Sequence, residues 1–157
     1  MKIWIEKNSK LAKNICSTGW SGLYLRFEKN VDPKIKQHCK EFGQWLRENF
    51  CFPTRVTIYF KSRYYIQAMD GENVSATFFG PFNKEDAPYI RIATGDYDDM
   101  VRENGEFNAM CAIFSSMVHE LTHYYQWLRD TDLTEDGEER QAKYYSRKIV
   151  YQYLDKE

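Results

Sequence analysis

A chain of 157 residues, 43% hydrophobic and 17% aromatic, suits one folded unit with a real core and excludes a disordered or fibrous chain. Its 22 Lys and Arg against 23 Asp and Glu leave a net charge of −1. No strongly basic face is implied, so nucleic acid is not expected as the main partner.

The N-terminal stretch MKIWIEKNSKLAKN has no apolar h-region, so no signal peptide is expected. No run of about 18 apolar residues occurs, so no membrane span is expected either. The four cysteines, Cys16, Cys39, Cys51 and Cys111, are scattered with no CxxC pair. They read as reduced thiols, and the expected location is cytoplasmic.

KIWIEK and GLYLRFEK both alternate apolar and polar residues, which predicts two short strands joined by the turn-like STGWSG. Residues 1–30 thus read as a β-rich N-terminal extension. Asp32 and Pro33 then open a helix, the first as N-cap and the second at the first helical position. Ile35, Cys39, Phe42, Leu46 and Phe50 give it one apolar face, and it should end before Pro53. RVTIYF, YYIQAM, SATFF and YIRIAT follow as strand candidates. A long helix is predicted from about Glu106 to Arg129, and a last one from about Glu138 to Leu154. Strands grouped together, with helices grouped after them, predict an α+β fold with a small antiparallel or mixed sheet of three to five strands.

The long helix carries SSMVHELTHYYQW, which holds two of the three histidines, His119 and His123. Residues four apart share a helix face, so both imidazoles can reach one ion. Glu120, about 100° round the helix, is placed to take a proton from a water on that ion. Helical phase separates this arrangement from a pair of core histidines. Ala112, Ser115, Ser116, His123 and Gln126 fall within about 60° of His119. Phe107, Met110, Cys111, Phe114, Met117, Val118, Leu121, Tyr125 and Leu128 form the opposite, core-facing stripe.

Catalytic zinc usually has three protein ligands and one water. An HExxHxxGxxH pattern is excluded, because the chain has Gln126 and Arg129 at the two later positions. No histidine follows His123, so His38 is the one alternative imidazole. The carboxylates of EDGEERQAKYYSRKIV are better placed: Glu135, Asp136, Glu138 and Glu139. If Asp136 caps the last helix, Glu138 and Glu139 lie in its first turn. Glu139 shares a face with Ala142, Ser146 and Val150, and the small residues permit close packing on the HExxH helix. Glu139 is the favoured third ligand, with the other three left open.

With HELTH and the ExxA form of Glu139 to Ala142, the chain resembles the gluzincin metallopeptidases. HELTH is similar to the pentapeptide of thermolysin-like enzymes. The resemblance spans residues 31–157 and implies a minimal, zincin-like peptidase domain: an N-terminal helix, an HExxH active-site helix and a C-terminal glutamate helix. It implies one Zn²⁺ on His119, His123 and Glu139, Glu120 as general base, and a peptide or protein substrate. It also implies that a strand bordering the cleft pairs with the substrate; SATFF, Ser75, Ala76, Thr77, Phe78 and Phe79, is similar in position. The chain departs from the thermolysin-like pattern in lacking NExxSD and a later histidine near the substrate carbonyl. Tyr144, Tyr145 and Tyr151, or Arg140 and Arg147, are then the candidates for steadying an oxyanion. The expected function is zinc-dependent peptide hydrolysis. The alternatives are a latent protease covered by its first 30 residues, or a non-proteolytic shell whose metal is structural or supports protein binding.

Overall fold

In the computed structural model, which describes residues 2–15 and 20–156, the chain folds as α+β. Its elements are α1 (Lys10–Ile15), β1 (Leu23–Phe27), α2 (Pro33–Asn49), β2 (Val56–Lys61), β3 (Ile66–Gln67), β4 (Asn73–Val74), β5 (Ala76–Phe79), β6 (Tyr89–Ala93), α3 (Tyr97–Asn104), α4 (Glu106–Leu128) and α5 (Glu135–Leu154). The main sheet is mixed, in the order β1-β2-β6-β5. β1, β2 and β6 run parallel, and β5 runs antiparallel to β6 at the edge. β3 and β4 form a separate two-stranded ribbon.

The β1–α2–β2 unit follows directly from the sequence. Asp32 accepts the Lys34 N–H at 2.8 Å and Pro33 occupies the first turn, so α2 starts where capping chemistry places it. Ile35, Cys39, Phe42 and Leu46 are fully buried. Gly43 lets this helix settle on the sheet, because a Cβ there would lie 2.7 Å from Leu25 Cδ1. Val56, Ile58 and Phe60 of β2 and Ile90 and Ile92 of β6 supply the inner face of the sheet. Phe42 joins α2 to the two long helices, 4.6 Å from the Phe114 ring and 4.7 Å from that of Tyr153.

The segment before residue 31 is built into this core. Ile3, Trp4 and Ile5 are all buried, and β1 pairs along β2. The strand expected over KIWIEK is reduced to a single bridge from Glu6 to Phe50. Three consecutive side chains are buried there, which a half-buried alternating strand does not permit. The first half of STGWSG, residues 17–19, lies outside the described residues, as does Cys16.

Other elements differ from expectation. YYIQAM contributes only Ile66–Gln67, and SATFF begins at Ala76, with Ser75 between β4 and β5. α3 has no expected counterpart; its apolar side chains, Tyr97, Met100 and Val101, make too short a pattern among charges. α5 begins at Glu135 because Thr134, not Asp136, caps it, accepting the Gly137 N–H at 3.0 Å. Glu138 keeps its place in the first turn, and Glu139 falls just past it. Phe107 is 64% exposed, since the first turn of α4 projects beyond the core it was expected to join. Cys51 is disulfide-bonded, which corrects the expectation of four reduced thiols and removes the ground for a cytoplasmic location. Cys39 and Cys111 are free. Among the described residues, no helix is long and apolar enough to cross a membrane.

Candidate metal centre

The back of α4 is fastened at several points. Leu121, Tyr124 and Tyr125 are fully buried. Tyr125 Oη donates to the Cys51 carbonyl, and Tyr124 Oη accepts the Thr54 N–H at 3.0 Å. Trp4 Nε1 donates to Thr122 Oγ1 at 3.0 Å. These contacts fix the rotation of the helix, so His119 and His123 face β5 and α5.

The two imidazoles stand 5.0 Å apart, nearly perpendicular at 76°. The Glu139 carboxylate spans them, with Oε2 2.9 Å from His119 Nε2 and Oε1 3.1 Å from His123 Nε2. One ligand atom from each of the three residues lies within 4.8 Å of the others, so His119, His123 and Glu139 could hold a metal ion. Glu135, Asp136, Glu138 and His38 are not part of this group. α5 reaches the site by packing along α4, with Ala142, Ser146 and Val150 buried behind Glu139.

Gln126 completes the arrangement and was missed as a functional residue from sequence. It lies three residues after His123, on the histidine face, yet is only 3% exposed because α5 covers it. Its Nε2 donates to the Glu138 carbonyl at 3.0 Å and to Gln141 Oε1 at 2.9 Å. A carbonyl can only accept, so the amide orientation is fixed and Oε1 faces His123 Nδ1 at 2.7 Å. Nδ1 must therefore carry the hydrogen.

Two imidazoles and a carboxylate form a donor set of the kind that holds zinc. With a hydrogen on Nδ1, His123 turns its Nε2 toward a carboxylate oxygen of Glu139. The 3.1 Å contact between Nε2 and Glu139 Oε1 is bridged either by a proton or by a metal ion. Nitrogen and oxygen ligands about 2.0–2.1 Å from a tetrahedral ion stand about 3.3 Å apart; the two nitrogen–oxygen distances here are 2.9 and 3.1 Å, and the three ligand atoms lie within 4.8 Å of one another.

Glu120 is the odd group in the site. It is 8% exposed and its carboxyl makes no side-chain hydrogen bond among the described residues, though its neighbours are the ligand set. Burial pushes its carboxyl up to about 7; His123 pulls against that, and Glu139 adds to it. Burial also lowers the pKa of His119, helped by His123 and opposed by Glu139.

His119 and Glu120 line two adjoining hollows. One is a cleft of about 560 Å³ between β5, with Ala76, Thr77 and Phe78, and α5, with Glu138 and Glu139. Trp127 also lines it, held by an Nε1 bond to the Pro81 carbonyl at 2.9 Å. Gly80 makes room for that ring, because a Cβ there would lie 2.4 Å from Trp127 Cδ1. The second hollow, about 280 Å³, is lined by Ser75, Ser115, Ser116 and Ser146. Phe79 lines neither and packs against Tyr89, with ring centroids 5.1 Å apart and the planes tilted by 33°.

The tyrosine candidates are not brought to either hollow. Tyr144 and Tyr151 are 56% and 69% exposed, and buried Tyr145 accepts the Ile3 N–H at 3.3 Å. Arg140 and Arg147 are exposed on α5 and line neither hollow. Among the described residues, no part of the first 30 lines the two hollows. No family model, curated protein or solved structure matches this chain.

Proposed function

We propose that this protein is a zinc-dependent peptidase of the gluzincin, zincin-like kind. One observation carries the proposal: a buried carboxyl, Glu120, with a pKa near 7, lies beside a His₂Glu ligand set at the border of two open hollows. A purely structural ion needs no such group. His119, His123 and Glu139 would hold one Zn²⁺, to which two imidazoles and a carboxylate are well suited. Bound zinc supplies Lewis-acid polarisation of a carbonyl and makes water acidic near neutral pH.

Glu120 accepts the proton from the attacking water and passes it to the leaving amine, the role of a carboxylate placed beside the ligand set at the border of the cleft. β5 is the sheet edge next to Glu120, and Ala76, Thr77 and Phe78 would pair with an extended peptide by strand addition. The two hollows on either side of Glu120 would take side chains flanking the scissile bond.

Glu120→Gln is the test. Zinc content should stay at one ion per chain while hydrolysis of an unstructured protein such as casein falls by a factor of about 10³ or more. Unchanged hydrolysis in that variant removes Glu120 as the base. A second reading, a zinc site that supports binding without hydrolysis, is favoured by the distance of all five oxyanion candidates from the hollows. Zinc-loaded wild type that cleaves no peptide in a broad library would select it.

A further inference from the structure

We infer that Gln126 is a positioning residue for the metal centre, holding His123 in its Nδ1–H form and pinning the start of α5 that carries Glu139. The inference rests on the metal-binding part of the proposal above and is independent of peptidase activity.

Three contacts of one buried amide carry it. Oε1 accepts from His123 Nδ1 at 2.7 Å, and Nε2 donates to the Glu138 carbonyl at 3.0 Å and to Gln141 Oε1 at 2.9 Å. Both amide hydrogens have acceptors, so the group cannot turn over without leaving two donors and one acceptor mismatched in a site 3% exposed. The orientation is therefore locked, and it dictates which ring nitrogen of His123 is bare. That nitrogen, Nε2, is the one turned toward Glu139.

The same amide reaches the residue just before Glu139. His123 belongs to α4 and Glu138 to α5, so Gln126 couples the two helices where their ligands must meet. The Glu139 side chain is 54% exposed, and packing alone holds it loosely. Fixing the Glu138 carbonyl restrains the backbone that delivers it. An outer group that orients a ligating imidazole typically contributes about 10- to 100-fold in metal affinity.

The test compares Gln126→Met and Gln126→Glu in the full-length chain. Methionine keeps length and bulk but removes the acceptor; glutamate keeps an acceptor for Nδ1–H. Zinc affinity is read by competition with a chromophoric chelator. Gln126→Met should bind zinc about 10- to 100-fold more weakly; Gln126→Glu, which restores the acceptor for Nδ1–H but not the two donations to α5, should recover part of that loss. A packing role predicts the reverse order, with methionine harmless and the buried charge of glutamate harmful.

The second measurement is the long-range ¹H–¹⁵N imidazole spectrum of metal-free protein near pH 8. Wild type should show His123 protonated at Nδ1, with the Nε2–H form rising in Gln126→Met. Equal zinc affinity in Gln126→Met, or a wild-type Nε2–H form, overturns the role of Gln126 while leaving the metal site standing. Wild type that binds no zinc overturns the metal site itself.

Discussion

Trp4 Nε1 donates to Thr122 Oγ1 at 3.0 Å, tying the first residues of the chain to the turn of α4 between the two histidines. The ring also packs at 4.9 Å from both Phe50 and Tyr125. Arg129 donates to the carbonyls of Lys2 and Ile3 nearby. The N-terminal segment is thus a wall of the core on the side of α4 opposite the cleft.

Removal of residues 1–30 should unfold the protein and not unmask activity. Trp4→Ala should lower stability by about 3–5 kcal/mol, a large share of what a domain this size possesses. Thermal denaturation followed by circular dichroism reads both. A cooperative, fully folded truncation with increased hydrolysis would restore the idea of an N-terminal cover.

Glu139→Ala should separate metal binding from folding. The side chain is 54% exposed, so its loss leaves no cavity, and the fold should survive. Zinc affinity should fall by more than about 100-fold, beyond the loss of an outer-shell partner. Retained affinity in chelator competition would move the third ligand elsewhere, with Glu138 the next carboxylate on the cleft wall.

Metal-free protein should carry a pH signature of Glu120. Its folded pKa is raised from an ordinary 4.5 to about 7, so the folded state favours the protonated carboxyl. The resulting stability is fully present below about pH 4.5 and is lost as pH rises through about 7. The loss is on the order of 3 kcal/mol. His119, with its pKa lowered by burial, contributes the opposite slope, so the difference between wild type and Glu120→Gln isolates Glu120. Without metal, the variant should melt higher than wild type at pH 8 and the gap should close toward pH 5. A constant gap across that range would mean that Glu120 is not held in a desolvated site.

Tyr145→Phe should lower stability by about 1–3 kcal/mol, because the Ile3 N–H loses its buried acceptor. Its kcat should not change, and Tyr144→Phe and Tyr151→Phe should be neutral in both respects. A selective fall in kcat for any of the three would return an oxyanion role to α5.

The pattern of the candidate metal centre was legible because it is local. His119, Glu120 and His123 sit on one continuous helix, whose 3.6-residue period fixes their angular relation whatever surrounds it. The apolar stripe at Met110, Phe114, Met117, Leu121 and Tyr125 obeys the same period, and those residues are buried. Asp32 and Pro33 mark the start of α2 through contacts within one turn. Glu139 was reached by the same means, since the face it shares with Ala142 and Ser146 is set by helix geometry.

Tertiary structure decided whatever depends on residues distant in sequence. Gln126 lies on the histidine face by phase, but its burial comes from α5 packing over it, which no period of α4 encodes. Tyr145 could be counted as a candidate for the site until the Ile3 N–H was found on its hydroxyl, 142 residues away. KIWIEK alternates like a strand, yet its middle residues fill a gap behind α4, because burying Ile3, Trp4 and Ile5 together outweighs local strand preference. The sequence by itself determined the helix face that carries the histidines and Glu120. Packing between α4, α5 and β5 decided that Glu139, favoured by phase among four carboxylates, meets those histidines, which amide meets His123 and which strand borders the cleft, because these contacts join elements whose relative placement local periodicity does not encode.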